Sequence, residues 1–375
     1  MDTLSLQFVE SAMATEILVA VDLFVDLPRF FAKKYDPKLT RVFVVTDTNL
    51  KELYLDKFAE AIRAAGFGVE ILVVPAGEAS KSLTEYGRLV DELVALKIDR
   101  KAVIVGFGGG VVTDLAGFLA STILRGVDLC LCPTSLLAQV DAAVGGKTGL
   151  DLLAAKNMVG TFYPATSLFL DFSVLTTLPE VEFLAGMSEL VKHALIADRE
   201  LAMDLLAFSD DYTRLLEAER SVVFADLIKR SLSVKLRIVE ADFREQNVRK
   251  YLNLGHTTAH ALEVLSAYRL GHGAAVARGV VFEAILAKNL GYLAESELGL
   301  VFSLFKQLMQ LSEANSLNDV VVSELFAVMQ TDKKNVANEV CLVLLKEIGK
   351  PELVFVDLPN LKSSWEEFLT YVYGE

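Results

Sequence analysis

The chain has 375 residues with a formal net charge of −14, and 53% of its residues are hydrophobic against 23% charged. That length supports two domains with a sizeable core. The acidic balance argues against nucleic acid or anionic membrane as partners held by general electrostatics, while a local cationic cluster can still receive a small anion.

Residues 1–17 (MDTLSLQFVESAMATEI) carry neither a basic stretch nor a sustained apolar run, so no signal peptide is expected. From Val42 to Val45 the pattern is that of a buried strand, followed by Asp47–Asn49 and a helical stretch to Ala65. Gly66 and Gly68 punctuate the chain, Val69–Val74 reads as a second strand, and Ser80–Leu96 as another helix. Val103–Gly106 is a third strand, which runs into a glycine cluster and then an apolar helix from Asp114. Cys130 and Cys132, two apart in an apolar run, fall on one face of a strand and are expected in the core. With Cys341 they make three cysteines, too few for a disulfide framework, so a reducing, cytoplasmic setting is expected.

Strands alternating with helices predict a parallel sheet covered on both faces, the architecture of a nucleotide-binding domain. At Leu178-Pro179-Glu180 the spacing turns helical and stays so to about Val336. Residues 1–178 are therefore expected to form an α/β domain with a Rossmann-like parallel sheet, and residues 179–375 a mainly helical one. Strand signals at Val340–Leu345 and Leu353–Val356 flank a turn at Gly349-Lys350-Pro351 and predict a small hairpin. No run of about twenty uncharged apolar residues occurs, so no membrane span is expected.

Gly106-Phe107-Gly108-Gly109-Gly110-Val111-Val112-Thr113-Asp114 follows a strand and opens a helix. Glycines allow close approach of backbone to a diphosphate, and a helix start offers free amides. The spacing is not that of GxGxxG, so an ordinary Rossmann fingerprint is absent. Asp47, Asn49, Glu78 and Lys81 follow strands, where an open parallel sheet borders its ligand crevice.

Of four histidines, His256, His260 and His272 fall within seventeen residues; His193 stands apart. Neutral imidazole suits zinc, and a catalytic zinc takes three protein ligands, one of which can be a carboxylate. His256 and His260 share a helical face, His272 sits in a Gly-His-Gly turn, and Glu189 shares a helical face with Lys192. A cationic set, Arg125, Lys147, Lys156, Lys235, Arg249 and Lys333-Lys334, supplies groups suited to phosphate and carboxylate.

The stretches GGGVVTDLAGF, RGV, PTSLLAQVDAAVGGKTG, KNMVGTFY, GMSELVKHALI, LNLGHTTAHALE and GHGAAV, in this order, resemble the dehydroquinate synthase family of sugar-phosphate cyclases over about residues 46–334. The resemblance implies that Glu189, His256 and His272 bind a divalent metal, zinc or cobalt, and that His260 faces the substrate phosphate instead. It implies phosphate contacts for Lys147, Asn157 and Arg125, the last reaching in from a partner subunit of a homodimer. Lys235, Arg249, Asn253 and Lys333 match positions holding the carboxylate, hydroxyls or phosphate of the substrate, with Asp141, Lys192 and Glu245 completing the pocket. For NAD it implies Asp47, Asn49, Glu78, Lys81, Gly109, Gly110, Val111, Asp114, Thr134 and Ser135. Lys147, Lys156, Thr177, Leu178 and Glu182 join that set.

The reaction implied is closure of a seven-carbon sugar phosphate into a carbocycle by transient oxidation with NAD, phosphate elimination, reduction and an intramolecular aldol step. Two departures from the family pattern stand out, Thr113 for a glycine and Ala274 for a glutamate beside His272; the second is expected to loosen the orientation of the metal. Rival readings are a cyclase acting on a substrate without a carboxylate, of the 2-epi-5-epi-valiolone or 2-deoxy-scyllo-inosose type, a metal-dependent polyol dehydrogenase, and an inactive paralogue kept as a scaffold.

Overall fold

The β-branched runs of the first half pair into one parallel sheet, because helices return the chain between its first five strands. The computed structural model describes residues 14–20, 23–152, 155–310, 320–330 and 339–373. In chain order β1 (Glu16–Ala20), α1 (Leu23–Lys34), β2 (Arg41–Asp47), α2 (Thr48–Leu53), α3 (Leu55–Ala64) and β3 (Gly68–Val74) come first. They are followed by α4 (Leu83–Ala95), β4 (Val103–Gly108), α5 (Gly110–Thr122) and β5 (Asp128–Pro133). A hairpin of β6 (Lys147–Leu152) and β7 (Ala155–Phe162) precedes β8 (Ser167–Asp171).

The sheet runs β1-β8-β5-β4-β2-β3. β2 lies between β3 and β4, with Phe43 opposite both Glu70 and Ile104. Every residue of β4 and of β8 is buried, as strands covered on both faces require. Cys130 and Cys132 lie in β5, buried and free.

Two expected helices differ in detail. The stretch after Asp47 breaks at Tyr54, whose φ of −138° is not helical, so α2 and α3 are separate. The helix expected from Asp114 starts four residues earlier, at Gly110, with Gly109 as an extended N-cap. A Cβ on Gly108 would lie 2.4 Å from that of Val112, so strand and helix join in one sharp turn.

The chain divides into two compact units, one of residues 1–133 with 146–171, the other of 134–145 with 172–375. The single break expected at 178/179 is thus not how the structure divides. Residues 134–145 pack on α6 (Glu180–Ala197), where a Cβ on Gly186 would lie 2.6 Å from Leu136 Cβ and from the Leu137 amide nitrogen.

The second unit continues with α7 (Arg199–Leu206), α8 (Ser221–Ala241), α9 (His256–Leu265), α10 (His272–Asn289), α11 (Glu295–Gln310) and α12 (Val322–Met329). β9 (Glu339–Glu347) and β10 (Lys350–Asp357) form the expected antiparallel hairpin, and α13 (Leu358–Tyr373) closes the described chain. Its core is built on α10, from Ala275 to Ala287, around which Leu262, Phe305, Leu344 and Phe368 are buried. α9 and α10 approach so closely that a Cβ on Gly279 would sit 2.1 Å from the Gly255 carbonyl oxygen. Gly279→Ala is therefore expected to destabilise the unit by about 3 kcal/mol, the upper end for overpacking. A shifted urea midpoint at unchanged slope would register it, and an unmoved midpoint would refute the contact.

Candidate active site

In the first unit the expected cofactor residues gather at the carboxyl ends of the strands. Asp47 ends β2 and caps α2, its Oδ1 accepting the amides of Asn49 at 2.9 Å and Leu50 at 3.0 Å. Asn49 and Glu78 are exposed nearby. The backbone amides of Gly109, Gly110 and Val111 lie at the start of α5, where an intrahelical acceptor is lacking by construction. Thr113 is buried in the first turn of α5, and its hydroxyl donates to the Gly110 carbonyl at 3.0 Å.

Lys81 is the hub of this half. Its Nζ lies 2.6 Å from Asp114 and donates to Asn157 Oδ1 at 2.5 Å, with Asp151 4.0 Å away. Burial pulls its pKa down, but Asp114, Asp151 and Glu78 more than offset this and hold it above an ordinary lysine. Asn157, with φ of +55°, also donates its amide to Asp151 Oδ1 at 2.8 Å. Lys147 opens β6 on the surface, and Lys156 lies in β7. Arg125 is exposed between Leu124 and Gly126, three consecutive residues with positive φ (51°, 67° and 120°). Such a turn is costly for side-chain-bearing residues and fixes the direction in which Arg125 projects.

In the second unit three expected ligands converge. Glu189 of α6, His256 at the start of α9 and His272 at the start of α10 each offer an atom, all within 4.8 Å of one another. His256 Nε2 lies 3.4 Å from Glu189 Oε1, and His272 Nε2 3.8 Å from the same oxygen. Each imidazole is held from behind, as metal-binding histidines usually are. His272 Nδ1 is 3.0 Å from Glu263 Oε1, and His256 Nδ1 is 3.2 Å from the Leu254 carbonyl. Burial first, then Lys192 and the two other histidines of the cluster, hold the His256 pKa well below the usual value, so this ring is neutral and its lone pair free. His272 also suffers from burial, but Glu263 and Glu189 raise it.

A divalent metal fits this set on one observation. Glu189 is only 1% exposed, yet neither carboxylate oxygen has a hydrogen-bond partner of acceptable geometry among the described residues. Lys192, one turn along α6, is ion-paired with Oε2, while two imidazole nitrogens face Oε1. A buried Oε1 met only by imidazole nitrogens is costly unless a second cation completes it. The ligand types, two imidazoles and a carboxylate, are those of a three-ligand catalytic zinc site. His260 lies edge-on to His256 at a centroid distance of 5.7 Å and stacks on His272 at 6.4 Å, but falls outside the converging set.

Beside the trio, Asp141 Oδ1 lies 2.5 Å from Lys235 Nζ. His193 is fully buried, with Nδ1 2.9 Å from Ser231 Oγ and Nε2 3.4 Å from Asp141. Arg249 is buried and donates to the carbonyls of Gly145 at 3.0 Å and Phe243 at 2.5 Å. Asp242 accepts the amides of Gln246, Asn247 and Arg249, which fixes the loop that delivers Arg249. Asn253 donates to Glu245 Oε1 at 2.8 Å. Thr134 and Ser135 are buried, the latter accepting the Ala138 amide at 3.3 Å. Thr177 donates to the Val174 carbonyl at 3.1 Å, Leu178 is half-buried and Glu182 is exposed. Lys333 and Lys334 lie outside the described residues.

The 3-dehydroquinate synthase N-terminal family model matches residues 71–185, and the C-terminal model matches residues 186–335. The chain belongs to the 3-dehydroquinate synthase family. A 3-dehydroquinate synthase of Caldanaerobacter subterraneus subsp. tengcongensis is 38% identical over 318 residues, 84% of this chain and 87% of that protein. Among solved structures, 2-epi-5-epi-valiolone synthase from Streptomyces hygroscopicus subsp. jinggangensis, with NAD+ and Zn2+ bound, superposes with a TM-score of 0.86 at 23% identity, covering 99% of this chain and 100% of that one. A 2-deoxy-scyllo-inosose synthase complexed with carbaglucose-6-phosphate, NAD+ and Co2+ gives 0.80 at 24% identity, covering 94% and 96%. At such identities the last two establish the fold.

In this member of the family, with Ala274 beside the His272 turn, the carboxylate behind His272 is that of Glu263, 3.0 Å from Nδ1. Sequence reasoning missed Glu263, although its spacing from His256 and His260 (i, i+4, i+7) marks one helical face. Asp242 and Ser231 left no comparable signal.

Proposed function

We propose that the chain converts 3-deoxy-D-arabino-heptulosonate 7-phosphate into 3-dehydroquinate and phosphate, as a carbon–oxygen lyase using NAD and a divalent metal. The convergence of His256 and His272 on the buried Oε1 of Glu189 carries this reading. Glu189, His256 and His272 would hold the metal, zinc or cobalt. The NAD contacts would come from Asp47, Asn49, Glu78, Lys81, the Gly109–Val111 amides and Asp114, with Thr134, Ser135, Lys156, Thr177, Leu178 and Glu182. When bound, NAD takes up and returns a hydride and the metal acts as a Lewis acid at the alcohol oxygen.

The chain's own side chains orient one flexible anion through successive steps. Lys147, Asn157 and Arg125 are assigned to the phosphate, Arg125 from the second copy of a homodimer. Arg249, Asn253, Lys235 and Lys333 are assigned to the carboxylate and hydroxyls, with Arg249 preset by Asp242 through its own amide. Lys192 and Lys235 add positive charge next to Asp141, and Glu245 holds the Asn253 amide group in place. His260 is assigned to the phosphate side, where an imidazole can move a proton. A cytoplasmic setting belongs to the same reading.

Incubation with the heptulosonate phosphate, zinc and a trace of NAD should release phosphate and 3-dehydroquinate in equal amounts without net NADH. Faster turnover of sedoheptulose 7-phosphate would transfer the assignment to a cyclase of substrates lacking the carboxylate. NADH accumulating in step with substrate consumed would make it a dehydrogenase.

A further inference from the structure

We propose that Glu283 is a positioning residue for the metal centre: from α10 it caps the start of α9 and thereby fixes where His256 presents its ring. The proposal rests on the reading of Glu189, His256 and His272 as metal ligands. α9 begins at His256, and its N-cap, Gly255, has φ of +77° and no side chain with which to cap. An ordinary N-cap side chain would accept an amide of the first turn. Here a carboxyl from 28 residues along the chain does that work. Glu283 Oε2 accepts the Gly255 amide at 2.7 Å, and Oε1 pairs with Thr258 Oγ1 at 2.9 Å.

Glu283 is 1% exposed, and no Lys, Arg or His among the described residues forms an ion pair with it. Burial pushes its carboxyl up to about 8, against the pull of the Gly255 and Thr258 hydrogen bonds. Both carboxyl oxygens accept, Oε2 from the Gly255 amide and Oε1 from the Thr258 hydroxyl. Mere filling of that space would be cheaper with an apolar side chain. What the acid secures is the segment Leu254-Gly255-His256. Gly255 is gripped at its amide by Glu283 and crowded at its carbonyl by Gly279, where no side chain fits. The next residue is His256, whose Nδ1 lies 3.2 Å from the Leu254 carbonyl and whose Nε2 faces Glu189.

The test measures zinc affinity of the metal-stripped protein by competition with a chromophoric chelator, alongside urea stability and circular dichroism. Glu283→Gln keeps one acceptor and one donor and should bind zinc within about threefold of the parent chain. Glu283→Ala should bind about 10–100-fold more weakly, the usual effect of losing a group that orients a metal ligand. Thr258→Val keeps the shape and removes only the hydroxyl, so its affinity should fall between the two. If folded Glu283→Ala and Thr258→Val both bind zinc within twofold of the parent, Glu283 serves stability alone and the proposal fails. Should Glu283→Ala not fold, Thr258→Val decides by the same criterion. A parent chain that takes up no zinc overturns the metal reading, and the proposal with it.

Discussion

Replacing Glu189 by glutamine should strip the chain of tightly held zinc and slow phosphate release by about a thousandfold, which corresponds to roughly 4 kcal/mol of lost transition-state stabilisation. The substitution preserves shape and hydrogen-bonding size but removes the anion that two imidazole nitrogens face at 3.4 and 3.8 Å. It also removes the anion with which Lys192 is ion-paired, at a site where both residues are 1% exposed. Breaking a buried pair from one side costs about 3–5 kcal/mol, so the stability should fall as well. The two effects separate experimentally. Zinc content after dialysis reports the ligand role, urea midpoints of metal-stripped parent and variant report the ion pair, and product formation at saturating zinc reports the chemistry. A variant that retains one zinc per chain and turns over within tenfold of the parent would show that Glu189 is not a ligand.

The Glu189 and Lys192 pairing was readable from spacing, because i and i+3 on a helix share a face. The histidines were readable only in part. A four-residue interval singles out His256 and His260, yet the nitrogens brought against Glu189 belong to His256 and His272. That choice is made by α10 packing on α9 through Gly255 and Gly279, a tertiary contact with no local signature; the family resemblance, not the spacing, carried it. Strands β2 and β4 were legible because a buried parallel strand needs an unbroken apolar run, and β3, a half-buried edge strand, because Ile71–Val74 is apolar and rich in β-branched residues. The membership of residues 134–145 in the second unit was not legible, since it depends on α6 offering a glycine at 186 where the segment lies against it. Nothing in the sequence sets Glu283 apart from Arg278 and Lys288 of the same helix, and only its contacts with Gly255 and Thr258 give it a role.

Asp141→Asn should cost about 3–5 kcal/mol of stability at neutral pH, the price of leaving buried cations without their anion. Asp141 is 22% exposed, and its Oδ1 lies 2.5 Å from the nearly buried Lys235 ammonium. Burial by itself would raise the pKa of this carboxyl; Lys235 foremost, then Lys192 and His193, more than offset that and hold it well below the ordinary value of 3.8. A depressed folded-state pKa stabilises the fold at every pH above the unfolded-state value and loses that stabilisation as pH falls toward the folded one. The gap between parent and Asp141→Asn should therefore be flat from pH 8 down to about 5 and narrow steadily below pH 4. Lys235 limits its size. Burial and Lys192 already hold its pKa below that of an ordinary lysine, with Asp141 opposing them. Once Asp141 is neutral, Lys235 can shed its proton and relieve the unpaired charge. Removing that charge outright, in Asp141→Asn combined with Lys235→Met, should recover more than half of the lost stability, a coupling that a double-mutant cycle measures directly. Cyclisation should be lost in Asp141→Asn, in Lys235→Met and in the double mutant, so stability and turnover move apart in the last. If Asp141→Asn unfolds at the same urea concentration as the parent at pH 7, or if the gap stays constant down to pH 3, the carboxylate does not hold these lysines together.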